Sequence, residues 1–475
     1  MTSLTGLKTG RIGFCRTIFE CEEGGMNQPA APAEVADRKG GMSPGAVKAL
    51  VASIVGTLIE WYDYALYGAA AGVVIAPLFF PGHLSAAAGL STFATFAVGF
   101  LARPLGGIVI GHIGDRYGRK PAMLLTIILM AVATVGMGLL PTAHAIGVFA
   151  PILLVLFRFI QGFGAGAELT GAITVVAEYT SPKRRGWFTG FILSMPPLGI
   201  VLATGAFLWA SHLPEEAFLS WGWRLPFLAS ALLFFVALYI RTQLEETPEY
   251  VASQENAAKQ QAESKVPIKE LLRSDFKGVL LGFFGMFGHS ALVYLIASFS
   301  VFYLTSPYVG MSRSDALVAV TVGTLVAVVT TPFAGWASDR FGAGTVLATA
   351  SALGIIYAYP FLKLLQMGTV ASATLAVGVG FGVIIAGTSG SQGAFMANLF
   401  PPEHRFSGMA LAREANGAIV AGFSPMIVLA LVNALDGDVW AAALFLAACS
   451  SVAVIAIVLS RGAGNNDNAR VTNWA

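Results

Sequence analysis

Charge is scarce in this sequence. Asp, Glu, Lys and Arg together make up 11% of its 475 residues, against about 25% in a soluble protein. Those present nearly cancel, leaving a formal net charge of +2. Such a balance offers no basic field for a nucleic-acid partner. Cysteine is scarcer still. Cys15 and Cys21 lie in an N-terminal stretch and Cys449 in an apolar run, so no disulfide framework and no metal-ligand spacing exists. Neither a metal nor any other cofactor is expected. Short alternating strands of about 10 residues, the mark of a membrane barrel, are also missing.

What the sequence does have is apolar length: hydrophobic residues make up 56% of it. The runs reach the roughly 20 residues that a helix needs to cross about 30 Å of hydrocarbon. Twelve spans are predicted, at 48–78, 88–113, 121–140, 148–179, 187–211, 222–243, 277–305, 314–336, 345–363, 369–399, 407–433 and 438–460. The polar stretch "EETPEYVASQENAAKQQAESKVPIKELLRSDFK" separates the sixth from the seventh. The expected organisation is a tail at 1–46, a six-helix half at 47–244, a central loop at 245–276, a second half at 277–461 and a tail at 462–475. The first tail is polar, lacks the apolar core of a signal peptide and reads as disordered. Met26 and Met42 within it are alternative translation starts.

Lys and Arg set the orientation. With the N-terminus in the cytoplasm, the inner loops hold Arg116, Arg119, Lys120, Lys183, Arg184, Arg185, Arg340, Arg405 and the basic residues of the central loop. The outer side holds only Arg224, Arg313 and Lys363. Both termini are therefore expected in the cytoplasm, with the lipid bilayer as surroundings and a monomer as the working unit.

"GHIGDRYGRK" at 111–120 returns in a worn copy, "GWASDRFGAG", at 335–344. Gly111, Asp115, Arg116 and Gly118 recur as Gly335, Asp339, Arg340 and Gly342, at a constant offset of 224. "AEYTSPKRRG" after span 4 has a weaker counterpart in "NLFPPEHRFSG" after span 10. The two halves are thus tandem repeats facing the same way, one plan for a transporter with its site between them. Within the motif, glycines let a turn and its helices approach closely. Asp115 can accept from backbone N–H groups at a helix start. The neighbouring basic groups can equally serve only to fix topology.

Repeated G-x-x-x-D-R-x-G motifs in twelve spans resemble the major facilitator superfamily. "IEWYDYALYG" (59–68), "FLARPLGG" (100–107), "RFIQGFGAGAE" (158–168) and "WRLPFLASALL" (223–233) resemble its metabolite:proton symporter family. The resemblance covers about residues 46–460. It implies an all-helical fold of twelve transmembrane helices in two pseudo-symmetric halves. It also implies alternating access in a bacterial inner membrane and cotransport of protons with a small molecule. Carriers of shikimate, 2-oxoglutarate and citrate belong to that family, as do carriers of proline or betaine. A small organic acid is the expected substrate here, with a zwitterionic osmolyte as the alternative. The resemblance further implies that the loop latches the halves on the cytoplasmic side. Asp115 and Arg116 would pair with charges of the second half and with Glu178. Arg119 and Lys120 are replaced by Ala343 and Gly344 in the second copy, so the Asp339–Arg340 latch should be the weaker.

An ionisable group at mid-helix costs about 2.5–3.5 kcal/mol on insertion scales and is a functional candidate by default. Seven stand inside the spans: Glu60, Asp63, Arg103, Arg158, Glu168, Arg413 and Glu414. Glu60, Asp63 and Tyr67 share one helix face, which is expected to look into the central cavity. Comparison with sugar–proton symporters aligns Asp63 with their proton-coupling aspartate and Arg158 with its partner. An Asp63–Arg158 pair, with Glu60 nearby, is therefore expected to couple protons, or else to hold spans 1 and 4 in register. Arg103 either binds a substrate carboxylate or ties span 2 to span 11 through Glu414. Arg413 and Glu414 point about 100° apart, so they cannot share a partner. Gln161, Gln392 and Asn398 can orient a polar substrate or bond neighbouring helices. Tyr62, Tyr64 and Tyr67 can line the cavity or sit at an interface. His289 is expected in core packing, with proton transfer as its other role. "GTSG" at 387–390 matches a G-x-S-G intramembrane protease motif that needs a histidine beside Ser389. Span count and repeat speak against that enzyme. A passive channel is the remaining rival.

Overall fold

Lipid offers a backbone no partner but itself, so every apolar run must close its hydrogen bonds internally. The computed structural model describes residues 44–81, 85–117, 119–166, 168–180, 182–242, 271, 273, 275–401 and 405–461. Eleven of its helices are long and apolar enough to cross a membrane: Leu50–Phe79, Ala87–Ile110, Pro121–Leu139, Phe149–Thr174, Arg185–Ala210, Phe276–Thr305, Arg313–Phe341, Ala343–Gln366, Val370–Leu399, Arg405–Ala434 and Trp440–Leu459. The sixth span is a bent pair, Glu215–Gly222 with Arg224–Ile240, meeting at 41°. Counted in chain order these are spans 1–12, and they match the twelve predicted. The helix of span 1 already begins at Pro44. Most of the expected first tail, the whole of the second and nearly all of the central loop lie outside the described residues.

The repeat seen in the motifs governs the helices too. Span 1 loosens into a π-helix at Ala71–Ile75 and span 7 does so at Leu295–Phe299. Those segments are again 224 residues apart, as are the helix ends at Tyr117 and Phe341. Between the halves, span 2 packs on span 11 and span 8 packs on span 5. Exchanging the halves turns one contact into the other.

The end of the bundle that carries the repeated loops is here called the motif end. Spans 5 and 8 meet there, where Gly186 and Gly190 lie against Gly335. Spans 1 and 7 meet at the far end, where Gly68 faces Ser298 and Gly72 faces Phe302. Arg313 and Glu215 add an ion pair of 2.8 Å across the halves at that end. The halves are thus joined at both ends, with room left between them midway.

Inside the first half, glycines bring spans 2 and 4 together. A Cβ on Gly162 would lie 1.8 Å from the carbonyl oxygen of Gly99, and one on Gly106 equally close to that of Phe163. Small residues are how membrane helices gain contact without a hydrophobic driving force. The outward sides carry exposed Leu101, Leu105, Ile108, Val132 and Ile152, a surface suited to lipid. Gly162→Ala should therefore lower the melting temperature of the purified protein, by roughly 1–3 kcal/mol of overpacking. Gly205→Ala in span 5, where a Cβ meets nothing within 4 Å, should leave it unchanged. Equal melting of the two variants would disprove the close contact of spans 2 and 4.

Candidate functional site

Arg103 enters the bundle interior from span 2 and is almost fully buried. A lone guanidinium there would be costly, and two carboxylates meet it. Its Nη2 lies 3.0 Å from Glu60 Oε1 of span 1, and its Nε donates to Glu414 Oε2 of span 11 at 2.8 Å. Nη2 also reaches the Ala165 carbonyl at 3.4 Å. Of the two roles expected for Arg103, the structure shows the tie to Glu414. That tie joins the halves, because Glu60 and Arg103 belong to the first and Glu414 to the second.

Asp63 lies one helical turn beyond Glu60 and has no such partner. Both carboxylate oxygens are sealed from solvent and form no ion pair among the described residues. Arg158 makes no ion pair among the described residues, so the expected Asp63–Arg158 pair is not formed here. The guanidinium instead donates to Gln161 Oε1 and to the Phe96 carbonyl. It packs over the rings of Tyr67, Phe96 and Tyr64 at 4.4, 5.1 and 5.2 Å. Gln161 in turn donates to Thr134 Oγ1 at 2.9 Å, and Thr134 stands beside Asp63. A relay of two uncharged side chains thus occupies the place of the direct pair. Tyr64 lies between this cluster and the first, since Arg103 also covers its ring at 5.2 Å.

A cavity lies between the halves. Its walls include Trp61, Arg103, Pro196, Pro197, His289, Tyr294, Ser389, Gln392, Arg413, Glu414 and Asn416. Four expected substrate residues therefore meet here: Arg103, Gln392, Arg413 and Glu414. Three do not. Tyr67 donates its hydroxyl to the Thr92 carbonyl, Gln161 belongs to the relay, and Glu168 lines a small separate crevice with Glu60. The expectation that Glu60, Asp63 and Tyr67 face the central cavity is thereby corrected. Their counter-charge and bonding partners lie in spans 2, 3 and 4 of the same half, so that face turns inward. Trp61, about 100° further round the helix, is presented to the cavity instead and stacks on Tyr294 at 5.4 Å.

Other expectations also change. His289 lines the cavity rather than packing in a core. Its Nδ1 bonds Thr388 Oγ1 at 2.8 Å and its Nε2 faces Gln392 Nε2 at 3.3 Å. With both nitrogens engaged and neither on Ser389, the histidine that a serine protease needs is not in place. Tyr62 donates to the Pro226 carbonyl, away from the cavity. Asn398 accepts from Arg185 Nη1 at 2.8 Å, bonding span 10 to span 5. Trp61, Tyr294 and Asn416 escaped sequence reading. Only Asn416, three residues beyond Arg413 on the same face, carried a signal that could have shown it.

At the motif end, Asp339 of span 8 accepts from the backbone N–H groups of Gly186 and Trp187 at 2.6 and 2.8 Å. These groups open the helix of span 5, where a carboxylate is favoured. Ser338 and Gly335 lie against Gly186 in the same contact, and Arg340 packs over Trp336 at 5.6 Å. In the first copy, Gly118 lies outside the described residues. So do the side chains of Asp115, Arg116, Arg119 and Glu178, and the surroundings of Gly111.

Two like halves closed around a polar cavity in a helical membrane bundle define a transporter. The chain belongs to the Major Facilitator Superfamily, whose pattern it matches over residues 53–425. It is 36% identical over 420 residues to the inner membrane metabolite transport protein YhjE of Escherichia coli (strain K12), covering 87% of this chain and 93% of that one. It is 34% identical over 422 residues to the shikimate transporter of the same organism, covering 87% and 94%. The proline/betaine transporter of that organism is 32% identical over 397 residues, covering 81% and 78%. A crystal structure of a D-xylose–proton symporter superimposes with a TM-score of 0.67 over 86% of this chain and 97% of that one. At 17% identity the likeness speaks for the fold alone.

The Asp339 contact generates a test. Asp339→Ala removes the acceptor of two backbone donors, each such charged bond contributing about 1.5–3 kcal/mol. Spin labels at the exposed positions Lys183 and Phe341 should then report longer distances, as spans 5 and 8 part. Asp339→Asn, which keeps one acceptor oxygen, should fall between. An unchanged distance distribution in Asp339→Ala would show that this carboxylate does not hold the halves.

Proposed function

We propose that the protein is a proton-coupled symporter of a small organic acid in the bacterial inner membrane. Both termini lie in the cytoplasm, and the halves rock about the central cavity. The observation that carries this reading is Asp63, a carboxylate in a membrane-spanning helix that forms no ion pair among the described residues. An ionised group there is too costly to stand alone, so Asp63 holds a proton in the state described. When the proton leaves, Arg158 is the nearby cation able to offset the charge, by giving up Gln161. Protonation and the packing of spans 1, 3 and 4 are then linked, which is what coupling requires. Glu60 joins this machinery through Arg103 and thereby reaches Glu414 in the other half. The two motif copies serve as the cytoplasmic latch.

Arg103 and Arg413 in the cavity wall support an anionic substrate, as do relatives named for metabolites and shikimate. A zwitterion such as betaine is the second reading. The Trp61–Tyr294 stack favours it, since aromatic faces receive quaternary ammonium groups, and a relative is named for proline and betaine.

Asp63→Asn keeps the shape but cannot titrate. In proteoliposomes it should exchange substrate down a gradient yet fail to accumulate it under an imposed pH gradient. Glu60→Gln and His289→Gln are run alongside. Accumulation by Asp63→Asn, with failure in either of the others, would move the proton site to that residue. For orientation, a single cysteine at Lys259 in a cysteine-free background should resist membrane-impermeant thiol reagents in intact cells. Ready labelling from outside would reverse the topology.

A further inference from the structure

Spans 7 and 10 bring His289, Ser290, Ser389 and Gln392 to the cavity wall. A line of hydrogen bonds runs through two of them and Thr388. Thr388 Oγ1 donates to the Ile385 carbonyl at 3.1 Å. It also meets His289 Nδ1 at 2.8 Å, and His289 Nε2 meets Gln392 Nε2 at 3.3 Å. A carbonyl can only accept, and a threonine hydroxyl has one proton to give. With that proton on Ile385, Thr388 Oγ1 accepts from the ring, so Nδ1 carries the imidazole proton. Nε2 keeps its lone pair and accepts from the Gln392 amide N–H. The direction of the line is thus set at its backbone end, and each later group follows. It ends on Gln392 Oε1. That oxygen takes no hydrogen bond from a described residue, and it is not sealed off: it reaches the cavity surface.

We infer that His289 is a positioning residue that holds the Gln392 amide one way round, and that Gln392 is a specificity-determining residue presenting an acceptor to the substrate. The transported molecule then carries an O–H or N–H donor at this wall, and an analogue without one leaves a polar atom unmatched. Ser389, one turn before Gln392 on the same helix, also reaches the cavity with no hydrogen-bond partner among the described residues. Its hydroxyl can turn to suit a donor or an acceptor, so it does not discriminate, whereas a held amide does. The first half faces this patch with Trp61, Leu169, Leu193, Pro196 and Pro197, whose side chains supply no acceptor. The inference depends on neither the charge of the substrate nor its coupling to protons.

Two measurements on the full chain, purified, test this. The first needs no ligand: nitrogen NMR of protein isotopically labelled in its imidazole rings, with His289 assigned by the signals lost in His289→Gln. At neutral pH, Nδ1 should be protonated and Nε2 bare. A proton on Nε2 would reverse the line and overturn the inference. The second is calorimetric binding of two matched pairs of probes, proline with N,N-dimethylproline and shikimate with cyclohexenecarboxylate. Each pair keeps its carboxylate and ring, but only the first member has donors outside the carboxyl group. In at least one pair the donor-bearing member should bind about tenfold or more tighter. Gln392→Met should cut that ratio to about threefold or less, by weakening the donor-bearing member alone. His289→Leu, which leaves Gln392 in place but unheld, should lower the ratio too. His289→Gln, whose amide oxygen can accept from Gln392, should restore it. A merely structural histidine would instead weaken both members alike. Equal binding within both pairs, no binding of any of the four probes, or an undiminished ratio in Gln392→Met would overturn the inference. Gradient-driven uptake is not read in either measurement, so failure of the symporter reading would leave these outcomes as they stand.

Discussion

One guanidinium sits where the two halves of this protein meet, held by a carboxylate from each. Arg103 bridges Glu60 and Glu414 at 3.0 and 2.8 Å. Its charge cannot be left bare in this interior, and removing one partner of such a buried pair typically costs about 3–5 kcal/mol. Much else follows from that arrangement. Glu60 faces Arg103 and is drawn away from the cavity, which leaves Trp61 to form part of its wall. Glu414 is engaged by the same contact, and Arg413 beside it forms no ion pair among the described residues. Asp63, one turn further along span 1, forms no ion pair among the described residues, its nearby cation Arg158 being turned to Gln161.

Two buried clusters therefore lie side by side with Tyr64 between them. One is ionic and spans the halves. The other is confined to the first half and runs from Arg158 through Gln161 to Thr134 beside Asp63. Ion pairs across a moving interface resist its opening. A protonatable group inside one half can alter that half's packing without itself crossing the interface. Such a division of labour suits the proposed opening of one end at a time. The motif end and the far end are closed by different chemistry. Asp339 on backbone N–H groups holds the former, while packed glycines and the half-exposed Arg313–Glu215 pair hold the latter. Exposed pairs contribute only about 0.2–1 kcal/mol, so the far end depends mainly on the packing of spans 1 and 7.

The repeat was legible as far as the helices themselves. Gly111 and Gly335 announced an offset that reappears in the π-helical breaks of spans 1 and 7, which no motif marked. The reason is that six-helix halves keep their packing faces in register even where side chains diverge. Side-chain direction was less legible. Glu60, Asp63 and Tyr67 share one face, as their spacing predicts, but that face meets spans 2 and 3 and not the cavity. Periodicity tells which residues point together and leaves open what they point at.

The sequence by itself determined the number of spans, the twofold repeat, the family and the identity of the charged residues that lipid could not tolerate. Each depends on local quantities: run length against bilayer thickness, spacing along a helix, and the cost of an ionisable group in hydrocarbon. Tertiary structure decided the pairing. Three arginines and four acids placed inside the spans, Glu168 among them, admit many combinations, and only the approach of spans 2, 1 and 11 gives Arg103 to both Glu60 and Glu414. Coulomb energy depends on distances across the bundle, and positions as far apart as Arg103 and Glu414, 311 residues along the chain, acquire such a distance only when the helices pack.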